Sequence, residues 1–431
     1  MSLGFFNKVN PVYRNWFIGL SGVQILFMFW LPDSGYDKYF WESWTKDIMI
    51  NGLGSIYLNP GADNHPLNMH LLKLMSWFFS DPASVTATSV NWLKAIVLPF
   101  NLLSILLSVF LLKQNGFATS GVGWLILNPA FWYNTVIWGQ LDVVFTFYAF
   151  LALILAERKY WKLAWLSFLV ALNFKLQAIV IAPLLLILTY HSIKYDTWKG
   201  KFTGLLGLLL VQVTILSPFI FAGHLPETLS AVSGRSIGRY PVIARQAYNV
   251  WHFFFADPFN TPDSVKILQI PMKFWGLILF GLASAMNLSL LALAVANRAF
   301  ENLLRWERLS VIFQVAALVY LAFFLFNTQM HERYVHPAIL FSVVPFLIAK
   351  DRVVYLLVSF AYLLNMEAVM QMFGYYDQAI LGFDVDYSRL LIFNPMFIAG
   401  IFLFSYIWGT VVHARQFLAL KNSITETIVT T

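Results

Sequence analysis

Residues 128–177 read NPAFWYNTVIWGQLDVVFTFYAFLALILAERKYWKLAWLSFLVALNFKLQ. Almost all of this stretch is compatible with hydrocarbon, yet Gln140 and Asp142 follow Trp138-Gly139, and Lys175 and Gln177 close it. An ionised side chain at the centre of a bilayer costs about 2.5–3.5 kcal/mol on insertion scales, so a chain retains one only at an interface, beside a cavity or against a partner. Both polar groups lie at the ends of apolar runs of helical length. If those runs cross as a hairpin, Gln140–Asp142 and Lys175–Gln177 emerge on one side, and that side is where chemistry is expected.

Working outward, the remainder of the 431 residues repeats this pattern. The chain is 59% hydrophobic and 11% charged, whereas a soluble domain carries about 25% charged residues. Apolar runs fall near 16–31, 87–112, 119–137, 140–156, 161–174, 176–190, 202–222, 269–297, 309–326, 335–349, 353–370 and 388–413. They are continuous rather than alternating, so they predict about twelve transmembrane helices and not a barrel. The expectation is one all-α polytopic membrane domain over 1–431. The first run ends in Trp30-Leu31-Pro32-Asp33 with no small-residue cleavage site, and reads as a retained span. With no cysteine, disulfides and cysteine-held metals are excluded.

Lysine and arginine set the orientation. With the N-terminus inside, the inner segments hold 16 of the 28 basic residues and 6 of the 21 acidic ones. Both termini are then expected to be cytoplasmic, and the net charge of +7 becomes topogenic rather than a nucleic-acid footprint. The outer loops are the long ones: 32–86, with aromatic segments suited to interfacial helices, then 223–268, 327–337 and 371–387.

Four outer clusters carry residues suited to chemistry. The first is Asp37 with Trp41 and Trp44, followed by Asp63-Asn64-His65-Pro66. The second joins Gln140 and Asp142 to Lys175. The third holds Arg235, Arg239, Tyr240 and Arg245 ahead of Asn249-Val250-Trp251. The fourth is His331-Glu332-Arg333-Tyr334. Arg235, Arg239, Arg245 and Arg333 lie where topology gives them no reason to be. Clustered guanidiniums match phosphate oxygens, which at a membrane surface points to a lipid phosphate. A carboxylate in the first loop then suits a general base on an acceptor hydroxyl.

In their order these motifs resemble the GT-C superfamily of glycosyltransferases, over roughly residues 15 to 345. The first-loop pattern is matched by Asp37, Trp41, Trp44, Gly52, Tyr57, Asp63 and Pro66. The next is matched by Asn128-Pro129, Trp138 to Asp142 and Lys175, and the Tyr-Pro and Asn-x-Trp pair by Tyr240-Pro241 and Asn249 to Trp251. His331-Glu332 resembles the His-Glu pair of the dolichyl-phosphate glucosyl- and mannosyltransferases and their bacterial relatives. Relatives often read Asp-Tyr-Pro-Pro where this chain has Asp63-Asn64-His65-Pro66.

The resemblance implies transfer of a hexose, mannose or glucose, from a polyprenyl-phosphate donor to a lipid-linked or surface glycan, with inversion. Asp37 would be the base. Lys175, Arg235, Arg239, Arg245, His331 and Arg333 would hold the donor phosphate. Trp41, Asp63, Gln140, Asp142, Tyr240 and Glu332 would line the substrate site. No cofactor is expected, a divalent metal on Asp37, Asp142 and Glu332 being the disfavoured option.

Blander readings stand beside these. Asp37 suits a helix cap for 38–51, Asp142 an ion pair with Lys175, and Lys175 a snorkelling span end. Trp41, Trp44 and Trp251 suit an interfacial belt as well as a sugar platform, and His65 and His70 suit packing. The rival function is a secondary transporter or a lipid or polysaccharide flippase, against which stand polarity gathered at one face and no evident repeat. The one Asn-x-Ser/Thr sequon, Asn287-Leu288-Ser289, falls in a span, which favours a prokaryotic plasma membrane over endoplasmic reticulum.

Overall fold

The structure, a computed structural model, describes residues 19, 22, 37–235, 238–349, 351–372 and 386–430, without the side chains of 90, 235 and 420–430. The expected span at 16–31 and the side chain of Arg235 lie outside the described residues.

Among those residues are twelve α-helices of ten residues or more: α1 (Asp37–Asn51), α2 (Pro66–Ser76), α3 (Val90–Gln114), α4 (Asp142–Glu157), α5 (Trp161–Phe174), α6 (Ala182–Lys194), α7 (Trp198–Phe221), α8 (Met272–Ala296), α9 (Arg305–Phe326), α10 (His336–Ile348), α11 (Val353–Met370) and α12 (Pro395–Thr430). Seven helical stretches are long and apolar enough to cross a membrane. They are α3, α7, α8, α9, α11 and α12, with α6 extended by the 3₁₀ turn Leu176–Ile181 that precedes it. Helices α5 and α10 are apolar but shorter. This is an all-α multi-pass membrane protein.

Surface chemistry says the same. Along α7, Phe202, Leu205, Leu209, Leu210 and Phe221 are exposed, Phe221 to 88%, and α8 exposes Phe274, Leu277 and Leu282. A soluble monomer does not present contiguous apolar surface on this scale. A helix apolar on every side is stable only in lipid or a core, and here the solvent for those faces is hydrocarbon. The interior is built on α9, in which Leu309 to Leu325 is buried almost without interruption. It packs against α10, α8 and α12, while α4 packs against α5, α3 and α10.

Helix α4 ends in charge at both termini. At one end, Glu157 accepts from Arg305 Nε (3.2 Å) and from Arg308 Nη2 (2.8 Å), and Gln114 Oε1 accepts from Arg305 Nη1 (3.0 Å). The other end, Asp142, belongs to the site described below.

One sequence expectation needs correction. Residues 119–137 do not form one span. They fall into a 3₁₀ turn Thr119–Val122, single α-turns Gly123–Ile126 and Pro129–Trp132, and a π-turn Tyr133–Ile137. Asn128 breaks the helix, because a residue before proline is pushed out of the α region. Its Oδ1 accepts from the Ala130 amide (3.0 Å) and its Nδ2 donates to Tyr355 Oη and Ser359 Oγ (2.8 Å each). A break at membrane depth is tolerated where its polar groups find protein partners.

The aromatic segments of the first loop form the helices α1 and α2, each with one face buried. Trp41, Trp44, Thr45 and Ile48 form the buried face of α1, and Met69, Leu72 and Met75 that of α2.

Candidate functional site

A cavity of about 1510 Å³ opens at the end of the bundle where α4 begins. Its walls come from α1, the 63–68 segment, residues 138–142, residues 174–179, the 238–246 segment, the start of α8 and residues 327–334. Stretches separated by nearly three hundred residues of chain therefore meet there.

Two backbone devices hold the outer segments in place. β1 (Ala244–Arg245) pairs in parallel with β4 (Met330–His331), setting Arg245 opposite His331. In the chain between β1 and α8 comes a small antiparallel hairpin, β2 (Lys266–Ile267) and β3 (Ile270–Pro271). Buried Asn249 donates to the Phe324 carbonyl (3.2 Å), and Trp251 Nε1 donates to the Asn327 carbonyl (3.2 Å), fastening the long loop to the end of α9. The Asn249-x-Trp251 motif is thus a structural clasp. Trp251 does not line the cavity, whereas Trp41 and Trp44 do, packed edge to face at 5.4 Å between centroids.

Gly139 takes φ 73°, a left-handed conformation costly for other residues, and so turns the chain out of the π-segment. Gln140 and Asp142 are thereby aimed into the cavity. Gln140 Nε2 donates to Asp37 Oδ2 at the first turn of α1. Asp142 is buried, and its carboxylate is shared. Lys175 donates to Oδ1, Asn134 Nδ2 donates to Oδ2 (3.1 Å), and Arg333 Nε lies 3.9 Å from Oδ2.

Arg333 is also held by Glu332 Oε1 at 3.0 Å and lies 3.7 Å from Asp37 Oδ2, with its guanidinium over the Trp138 ring. Two cations and three carboxylates therefore form one cluster at the cavity floor. Buried charges persist where they are paired in this way.

The other cations divide by partner. Arg239 is paired with Asp63. Arg245 has no carboxylate within ion-pairing distance among the described residues, and its guanidinium rests over the Tyr240 ring at 4.9 Å. Lys273, at the start of α8, also lines the cavity. Among the described lining residues six side chains are lysine or arginine and three are aspartate, so the enclosed field is positive and suited to an anion.

Burial pushes His331 below the usual histidine range, Arg333 and Lys175 adding to this against the pull of Glu332, so it stands neutral at pH 7. Burial would raise Glu332, but His331 and Arg333 outweigh it and hold the carboxylate below its ordinary range. His331 Nδ1 and Glu332 Oε2 stand 3.7 Å apart. Among the described residues no group of three or more His, Asp or Glu side chains is arranged to hold a metal ion.

Of the residues singled out from sequence, Asp37, Trp41, Asp63, Gln140, Asp142, Lys175, Arg239, Tyr240, Arg245, His331 and Arg333 all line this one cavity, and Glu332 lies buried behind its wall. Sequence alone does not single out Lys273, which lies within the apolar run at 269–297, nor Asn134 and Gln246. His65, also in the wall, is buried with no hydrogen-bond partner for Nε2 among the described residues, and His70 Nε2 lies 2.9 Å from the Ile215 carbonyl, a packing role. Compared with known proteins, the chain matches no family model and no curated sequence.

Proposed function

We propose that this protein is an integral-membrane glycosyltransferase of GT-C type, with about twelve spans and cytoplasmic termini. It moves a hexose from a polyprenyl-phosphate donor to a lipid-linked or surface glycan. The observation that carries the reading is a guanidinium, Arg245, with no carboxylate partner among the described residues, facing the same cavity as the Asp37 carboxylate and beside a lipid-facing helix. A phosphate needs the first, an acceptor hydroxyl the second, and a polyprenyl chain the third.

In this reading Asp37 accepts the proton of the acceptor hydroxyl as that oxygen bonds to the anomeric carbon. The bond from that carbon to the phosphate oxygen breaks, polyprenyl phosphate departs, and the anomeric configuration inverts. Arg245 and Lys273 stabilise the charge that grows on the leaving phosphate. Asp63 already neutralises Arg239, and Arg333 already answers Glu332, Asp37 and Asp142. Arg333 therefore serves mainly to orient Asp37 and the cavity floor. Asp142 acts through Lys175 and Arg333, not on the sugar.

The test is transfer of radiolabelled hexose from a polyprenyl-phosphate hexose to a glycolipid pool by the purified protein in nanodiscs. Stoichiometric polyprenyl phosphate release supports the reading. Movement of intact donor across proteoliposomes without release would replace it with the flippase.

A further inference from the structure

The β2–β3 hairpin breaks two local rules at once. Its two-residue tip, Leu268-Gln269, has both residues at positive φ, 51° and 66°. That is the backbone of a type I′ turn, where Asn-Gly is the usual choice because L side chains strain there. The strained leucine is also 80% exposed, beside Ile267 at 45% and Val265 at 39%. A sequence that sets a branched apolar side chain on a left-handed tip and then leaves it in water is inconsistent at two levels. Such inconsistencies mark functional positions.

The position of the tip removes the inconsistency. Trp275, in the first turn of α8, donates from Nε1 to the Ile267 carbonyl at 2.9 Å. The Met272 and Lys273 amides donate to the Val265 and Asp263 carbonyls (2.9 and 3.1 Å). The hairpin is therefore folded down along the flank of α8 instead of projecting away from it. At the same level Phe274 and Leu277 are about half exposed, and α8 is one of the membrane-crossing helices. Lys266 and Lys273 flank the apolar tip, and Trp275 stands beside it, the arrangement of a segment seated at the boundary between headgroups and acyl chains.

We propose that the 265–271 hairpin is a membrane wedge whose Leu268 tip is inserted in the leaflet on the cavity side. Phe274 and Leu277 both flank it and line the cavity, so the wedge stands at the lipid-facing margin of the site. Nothing in this depends on the reaction catalysed. It requires only that α8 crosses the bilayer.

The chain has no cysteine, so single-cysteine labelling has no background. Leu268→Cys and Gln269→Cys, each carrying an environment-sensitive fluorophore, are reconstituted as full-length protein in phosphatidylcholine vesicles. Asn260→Cys, in the same loop, is the aqueous reference. The expected result is blue-shifted emission at 268, quenching by phospholipids carrying a shallow nitroxide, and severalfold protection from iodide relative to 260. If labels at both 268 and 269 meet iodide as freely as at 260, the wedge is excluded. Protection from iodide without quenching by nitroxide lipid would place the tip against protein, and overturns the proposal equally.

Discussion

Replacing Asp142 by Asn removes one charge from the floor of the cavity and almost nothing else. The amide oxygen can still accept from Asn134, and the side chain keeps its shape. What changes is that Lys175 loses the one carboxylate within ion-pairing distance of it among the described residues, and Arg333 loses one of three. Breaking a buried ion pair from one side costs about 3–5 kcal/mol, because a charge is left uncompensated. Lys175 keeps a side-chain exposure of 22% and lies over the Tyr334 ring at 4.7 Å. Both ease its isolation, so the lower end, about 3 kcal/mol, is expected for Asp142→Asn. Removing the orphaned charge as well, in Asp142→Asn with Lys175→Met, should recover about 2 kcal/mol, a coupling in the range found for residues in direct contact. The measurement is equilibrium unfolding of wild type, both single variants and the double variant in mixed micelles of mild detergent and SDS. A single variant as stable as wild type, or a double variant no better than Asp142→Asn, refutes the claim that Asp142 acts by pairing these cations.

Other outcomes follow from the same geometry. Asp37→Asn is isosteric and keeps a partner for Gln140, so a cap would survive it. Transfer should nonetheless fall by about 10²–10⁴ while donor binding holds, as read from initial rates and from binding of polyprenyl phosphate. Arg245→Ala should weaken polyprenyl phosphate binding about tenfold or more, a charge-assisted bond contributing about 1.5–3 kcal/mol. Arg245→Lys should fall between, with unfolding stability unchanged in both. Arg333→Ala should lose stability as well as activity. Burial, with Lys175 nearby, pushes His65 down to about 4, and burial pushes His252 down to about 4. Each binds a proton in the unfolded chain before it does in the folded one, so stability should be full above pH 6.5 and decline as pH falls towards 4. His65→Gln and His252→Gln, followed by unfolding across that range, should each flatten the decline.

Much of the site was legible because charge is conspicuous in an apolar sequence. Asp142 and Lys175 end separate hydrophobic runs, and only a hairpin lets them meet. The arginines outside the topogenic pattern likewise marked the loops that converge. Beyond the Asp142–Lys175 pair, sequence does not reveal which cation meets which carboxylate. Arg245 and Arg333 look alike in a string of letters, yet one lies over a tyrosine ring and the other is held by three acids. Lys273 was hidden because one lysine at the head of a long apolar run reads as a span flank. The break at Asn128 was hidden for a related reason. Hydropathy averages over the asparagine, while the partners that make the break tolerable, Tyr355 and Ser359, arrive from more than two hundred residues away.

Helix α4 has a mechanical consequence. Its Glu157 end is tied to Arg305 and Arg308 at the start of α9, and its Asp142 end meets Arg333 just beyond the other end of α9. Its 16 residues span about 24 Å at 1.5 Å per residue, and both ends are riveted to the same neighbour. Sliding α4 by one turn would pull at least one rivet apart. The central pair is therefore a rod of fixed length, and it cannot adjust when the surrounding bilayer thickens or thins. Accommodation falls to the outer helices α7 and α8, whose exposed apolar faces meet the acyl chains. Changes in acyl-chain length thus reach the cavity through its lipid-facing wall at α8 and leave its floor in place.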